Sequence, residues 1–166
     1  YEFKVFKNDP RSANSISTNT INAIDKDSSG RLWIGTATSG LDRYDPASGI
    51  FTHYPAEPDN PHGLGDNSIN AIDVGQDDRV WIGTAQGGLY LLDPRSGQFT
   101  SYRNDPTDPQ SLSADAIISV LEDASGDVWV GTTVNGLNRL DRESGKFTRY
   151  IYESTNPESL STGGVQ

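Results

Sequence analysis

Apolar residues in this chain fall in short alternating runs that return every 48 positions. Leu32-Trp33-Ile34-Gly35-Thr36 reappears as Val80-Trp81-Ile82-Gly83-Thr84 and again as Val128-Trp129-Val130-Gly131-Thr132. A fixed period of this length sets the architecture. The units run 21–68, 69–116 and 117–164 with no insertion or deletion. Residues 1–20 match the outer strand and linker that end a unit, and 165–166 would begin another.

Each unit carries four strand signals. In the first unit they are Ile21 to Asp25, the tryptophan run, Leu41 to Asp45, and Phe51 to Tyr54. All are short, rich in β-branched and aromatic residues, and separated by turn residues. Ser39-Gly40, Gly87-Gly88 and Asn135-Gly136 supply the positive φ angles that tight hairpin turns need. Asp45-Pro46-Ala47-Ser48-Gly49 and Asp93-Pro94-Arg95-Ser96-Gly97 form the next turns; the third copy, Asp141 to Gly145, drops the proline. A longer polar linker follows the fourth strand, at roughly 55–68, 103–116 and 151–164. No segment has helical periodicity.

Alternate residues of a strand face opposite sides of its sheet. Leu32 and Ile34 therefore face one way and Trp33 the other; Phe51 and Tyr54 also face opposite sides. Both sides being apolar, both need covering. A two-sheet sandwich leaves one side of each sheet wet, and β-solenoids use shorter repeats. The prediction is an all-β chain of three four-stranded antiparallel β-propeller blades, with an extra outer strand at Glu2 to Lys7. Trp33, Trp81 and Trp129, one per unit, are expected in the core between blades.

Propellers close with about four to eight blades. Three blades leave an apolar face open at each end. The expectation is either flanking blades in a longer array or head-to-tail association into a ring. With three blades per chain, two copies would make six blades and three copies nine. The chain starts at Tyr1, which is expected of a processed chain or a piece of a longer one.

Composition narrows the partners. Across 166 residues the net charge is −10, which argues against nucleic acid. Without cysteine there is neither a disulfide nor a thiolate metal site. No apolar run approaches the ~18 residues of a membrane span, so direct membrane insertion is not expected.

The repeat consensus carries a resemblance. Leu32-Trp33-Ile34-Gly35-Thr36, Tyr44-Asp45-Pro46 and the linker Asn104 to Ser113 co-occur at spacings similar to those of the two-component regulator propeller repeat. The resemblance covers nearly the whole chain. It implies the sensor propeller of a hybrid two-component histidine kinase, periplasmic or extracellular, responding to glycan fragments. It implies no enzyme activity for these blades and no cofactor, and it transfers no site residue, because ligand contacts vary among such sensors.

Asp25-Lys26-Asp27-Ser28-Ser29-Gly30 suits a hard cation, but its spacing is lost in the other units, so no metal is expected. His53 and His62 each occur in one unit, with no triad or ligand cluster, and are expected at the surface. Asn19, Asn67 and Asp115 stand just before the first strand of each unit, where blade geometry places them at the mouth of the array on the linker side. They are the leading ligand-binding candidates, set against a role in turn formation. Arg43 and Arg139, on third strands, are further candidates. The expected function is a non-enzymatic, ligand-binding sensor module with an oligosaccharide ligand. The alternatives are a self-assembling structural module and a carbohydrate-active lyase or hydrolase.

Overall fold

The structure is a computed structural model that describes residues 3–156 and 159–160. Twelve strands form three antiparallel sheets. Blade 1 is β1 (Ile21–Lys26), β2 (Leu32–Thr36), β3 (Leu41–Asp45) and β4 (Ile50–Tyr54). Blade 2 is β5 (Ile69–Val74), β6 (Val80–Thr84), β7 (Leu89–Asp93) and β8 (Gln98–Tyr102). Blade 3 is β9 (Ile117–Glu122), β10 (Val128–Thr132), β11 (Leu137–Asp141) and β12 (Lys146–Tyr150). In each sheet the strands pair in chain order. The innermost strands pack side by side, β1 on β5 and β5 on β9. The three blades do not close into a ring.

The alternation of side chains builds the joints between blades. From the rear of blade 1, Trp33 and Leu41 meet Val80, Ile82, Leu92 and Phe99 on the front of blade 2. Leu64, from the linker, seals this joint at 1% exposure. The next joint repeats it: Trp81 and Leu89 meet Val128, Val130, Leu140 and Phe147, with Leu112 as the seal. All three tryptophans were expected in such joints, and Trp33 and Trp81 are fully buried there, whereas Trp129, on the rear of blade 3, is only half-buried.

The glycine of the tryptophan run serves the same joint. A Cβ on Gly35 would lie 2.5 Å from Ile69 Cγ2, and one on Gly83 would lie 2.5 Å from Ile117 Cγ2. The inner strand of each following blade thus presses against bare backbone. Polar staples reinforce it. The register shift between Ile21 and Ala23 frees Asn22, whose amide donates to Ile69 O at 2.9 Å. Asn70 likewise donates to Ile117 O at 2.8 Å. Asp25 accepts from Val74 N, and Asp73 from Glu122 N, both at 2.7 Å. In the third unit these positions are Ile118 and Leu121.

Two expectations change in detail. The β2–β3 connection is a four-residue loop closed by Thr36, whose hydroxyl accepts from Ser39 N (2.9 Å) and donates to Gly40 O (2.8 Å). Only the second residue of each pair takes positive φ, as Gly40 does at 79°. At the N-terminus, residues 3–9 form no strand. A strand ladder needs a neighbour, and residues 3–9 pair with none of the twelve strands. The segment still occupies the outer-strand place. Phe6 sits edge-on to Phe51 at 5.7 Å, as Tyr54 does to Phe99 at 6.1 Å and Tyr102 to Phe147 at 5.9 Å.

Candidate functional site

Each blade has a linker end and a turn end. At the turn end lie the β1–β2 and β3–β4 turns and their equivalents, and these line two charged grooves. The larger, of about 470 Å³, runs over blade 3 between Asp127, Arg139, Asp141, Arg142, Glu143 and Thr148. The second, of about 300 Å³, lies against Arg31, Asp77, Asp78, Arg79, Asp93 and Arg95.

The turns themselves are fixed by aspartates. Asp45 accepts from Ala47 N and from Ser48 Oγ, each at 2.9 Å. These bonds favour the ionised form, so the Asp45 pKa is lowered, and Asp141 is lowered by the equivalent contacts with Ser144 and Glu143. Asp78 adopts φ of 62°, where the first and third units have glycine. Its carboxylate bonds Ser28 N (2.9 Å) and Ser28 Oγ (2.6 Å) across the joint, and those bonds lower its pKa.

The larger groove is organised by two arginines. Arg139 Nη2 lies 2.9 Å from Asp127 Oδ2, which raises the arginine's pKa, and its guanidinium covers the Trp129 ring at 5.9 Å. Arg142 stands where the other units have Pro46 and Pro94. It bridges Glu122 of its own blade (3.1 Å) and Asp77 of blade 2 (3.1 Å), and it lies over the Trp81 ring at 5.7 Å.

This bridge marks a rewiring of the middle unit. Trp33 Nε1 donates to Asp27 and Trp129 Nε1 to Asp123, at 3.2 and 3.0 Å. The equivalent position in blade 2 is Gly75, which has no carboxylate. There Trp81 Nε1 donates instead to Glu122 of blade 3, at 2.9 Å. The space that a Gly75 side chain would fill holds the Glu122 carboxylate. Two departures from the repeat, Gly75 and Arg142, with Glu122 at a position that varies in every unit, therefore make one contact network. The sequence signal was the simultaneous break in the pattern.

The leading sequence candidates lie at the other end and are held apart, one per blade. Asn19 Oδ1 accepts from Asn8 N (2.9 Å), Asn67 Oδ1 from Ala56 N (2.8 Å), and Asp115 Oδ1 from Asn104 N (2.7 Å). In all three cases the side chain closes the linker loop that precedes its blade. Asp115 Oδ2 also meets Arg103 Nη2 at 3.2 Å. Arg43 lies in blade 1, its guanidinium 5.6 Å from the Trp33 ring and its Nη2 3.2 Å from Thr52 Oγ1. Arg43 Nε is buried without a partner. Of the candidates, Arg139 lines the larger of these two grooves.

His53, read as a surface residue, is 32% exposed and pairs at 2.7 Å with the fully buried Asp42. Burial pulls its pKa down; the hydrogen bonds to Asp42 and to Ala13 O, with the Asp42 charge, outweigh that and raise it. Asp73, on the inner strand, is raised by burial. Among the described residues no group of three or more His, Asp and Glu is placed to hold a metal. The grooves instead offer alternating guanidinium donors and carboxylate acceptors at the surface. That chemistry suits a hydroxyl-rich polar ligand. Among the described residues no helix is long and apolar enough to cross a membrane.

Residues 15–38, 63–86 and 111–133 each match the two component regulator propeller family. No curated protein matches the chain at a significant level. Among solved structures, the chain is similar to the extracellular domain of BT3049, assigned as a hybrid two component system, from B. thetaiotaomicron. The identity is 26%, the TM-score 0.78, and the match covers 90% of this chain and 20% of that one. A second extracellular domain from B. thetaiotaomicron, BT4673, matches at 26% identity and TM-score 0.71, over 92% of this chain and 19% of its own. The chain thus spans about a fifth of these relatives. Virginiamycin B lyase from Staphylococcus aureus matches at 22% identity and TM-score 0.60, over 81% of this chain and 42% of its own, and shares the fold. Its three matched segments, one per blade, thus carry the two component regulator propeller repeat on propeller-type sheets.

Proposed function

We propose that these blades are part of a non-enzymatic sensor propeller, periplasmic or extracellular, that binds an oligosaccharide at its turn end. The observation that carries this reading is the family match together with two similar extracellular domains of assigned hybrid two component systems. The charged groove around Arg139 and Asp127 supplies hydrogen-bonding groups of both signs for sugar hydroxyls. The linker-end candidates Asn19, Asn67 and Asp115 commit side-chain oxygens to loop closure, which favours the turn end. Calorimetry against a broad oligosaccharide panel tests the reading. Binding that Arg139→Ala weakens at least tenfold, with the sugar recovered unchanged, is the expected result. No binding across the panel, or turnover of the sugar, overturns it.

A second reading is favoured by one observation. The half-buried rear of blade 3 (Trp129, Leu137, Tyr150) and the front of blade 1 (Ile34, Tyr44, Phe51) are the two halves of the joint that the chain makes twice internally. We infer that isolated chains associate head to tail through these faces.

A further inference from the structure

Linkers are clamped to their blades at one repeated position in all three units and at a second in the first and third units. The first, on the third strand, holds Asp42, Tyr90 or Asn138. Asp42 Oδ2 accepts from Ser17 N at 2.8 Å, Asn138 Oδ1 from Ser113 N at 3.0 Å, and Tyr90 bonds the backbone of Gly65. The second, on the fourth strand, holds His53, Ser101 or Arg149. Arg149 grips its linker with Nε to Ser111 O (2.8 Å) and Nη2 to Asp108 O (2.9 Å). Its charge is permanent. His53 is the only one of the three whose charge changes near neutral pH.

The contacts of His53 discriminate between its forms. Nδ1 lies 2.7 Å from Asp42 Oδ1, and Nε2 lies 3.1 Å from Ala13 O. A carboxylate and a carbonyl oxygen are both acceptors, so both ring nitrogens must donate. Only the doubly protonated imidazolium does that; the neutral ring has one donor and one lone pair. The buried carboxylate holds the remaining proton on Nδ1, so deprotonation turns a lone pair toward Ala13 O. That contact then becomes repulsive and the linker loses its hold on β4.

We propose that His53 is a pH-operated latch, which when protonated clamps linker residues 13–17 over the front of blade 1 and when neutral lets go of Ala13. This goes beyond the sensor reading and does not depend on it. The latch controls cover, because the same segment seats Ile16 against Ile34, Tyr44 and Phe51. Asn14 Oδ1 also accepts from Phe51 N at 2.8 Å, so release at residue 13 loosens its neighbour. Every charged or titratable group facing the ring belongs to this picture. Asp42 comes from β3 and stabilises the cation. Tyr54 follows on β4, and Glu57 and His62 from the next linker line the small cavity of about 110 Å³ beside His53. The Phe51 ring lies parallel to the imidazole at 6.4 Å.

The direction follows from linkage. The folded-state pKa of His53 is raised, so the clamp is complete below the ordinary histidine value and is lost as pH rises through the folded-state value. The repeat itself supplies the controls: His53→Arg copies the permanently charged residue of blade 3, and His53→Ser copies blade 2. The test is an NMR titration of the 166-residue chain, following the His53 ring, the Ala13 and Ser17 backbone signals, and hydrogen-exchange protection at Phe51 corrected for intrinsic exchange. In the native chain the linker signals shift with the same midpoint as the ring, and protection falls about tenfold on deprotonation. His53→Arg holds protection across the range; His53→Ser loses the pH response. Linker signals indifferent to the ring's titration overturn the proposal. So does an unchanged pH response in the arginine variant. The native titration stands even if a variant does not fold.

Discussion

Gly83 shows how one residue can be plain in a sequence and opaque in its reason. Its recurrence in the tryptophan run was visible, but the cause is a close approach from a residue 34 positions later, Ile117, whose Cγ2 would be 2.5 Å from an added Cβ. Gly83→Ala therefore overpacks the joint between blades 2 and 3 and should cost roughly 1–3 kcal/mol in chemical denaturation. An unchanged midpoint would mean the blades slide apart without penalty. Trp81 offers a second test. Its indole bonds Glu122 across the joint because Gly75 leaves the space. Glu122→Val strands a buried donor and should cost about 1–3 kcal/mol, while Gly75→Asp alone drives a carboxylate into Glu122. The double substitution restores the arrangement seen at Trp33 and Asp27, and should recover most of the loss. Simple additivity in that double-mutant cycle would refute the shared network. Asp42 and His53 were illegible for a related reason: a lone histidine says nothing until the buried carboxylate beside it is known.

At the scale of strands and turns, the period and the alternation were enough to place all twelve strands and the faces of the second and fourth strands of each unit, because every unit repeats the same solution. What the repeat could not reveal is contact between units that have diverged. The ion-pair bridge made by Arg142 joins residues of two blades and depends on a proline lost from one turn only. The N-terminal segment misled for the opposite reason, since its pattern is that of an outer strand but residues 3–9 pair with no strand. The turns carry a pH signature of their own. Asp45 and Asp141 have lowered folded-state pKa values because turn N–H and hydroxyl groups bond the ionised carboxylate. Such groups stabilise the fold above the ordinary carboxylate value of about 4 and lose that contribution as pH falls through the folded-state value. Asp45→Asn combined with Asp141→Asn should lower the thermal midpoint at pH 6 and flatten its decline toward pH 2. An acid limb as steep as the native one would assign acid unfolding to other carboxylates.

For the whole molecule the question is what meets the outer faces. Blade 2 is covered on both sides, and its two joints use the same pairs of positions. The front of blade 1 and the rear of blade 3 offer those positions again, so one chain's Tyr150 is suited to the Phe51 of the next. Phe6 already holds that place at 5.7 Å, in the manner of Tyr54 on Phe99. The N-terminal segment and a second chain therefore compete for one site. Removing residues 1–8 takes away the competitor while leaving every strand intact, so the shortened chain should associate more strongly than the full one. Tyr150→Asp, on a residue 39% exposed, should reverse this without loss of the fold. Salt adds an independent check: with a net charge of −10 on each copy, association should strengthen as ionic strength rises. Light scattering across concentration, on all three chains, reads the outcome directly. A two-chain limit would correspond to a six-bladed ring, within the usual four to eight. Monomers throughout, or association that ignores both Tyr150→Asp and the N-terminal deletion, would show that these faces are not halves of an intermolecular joint.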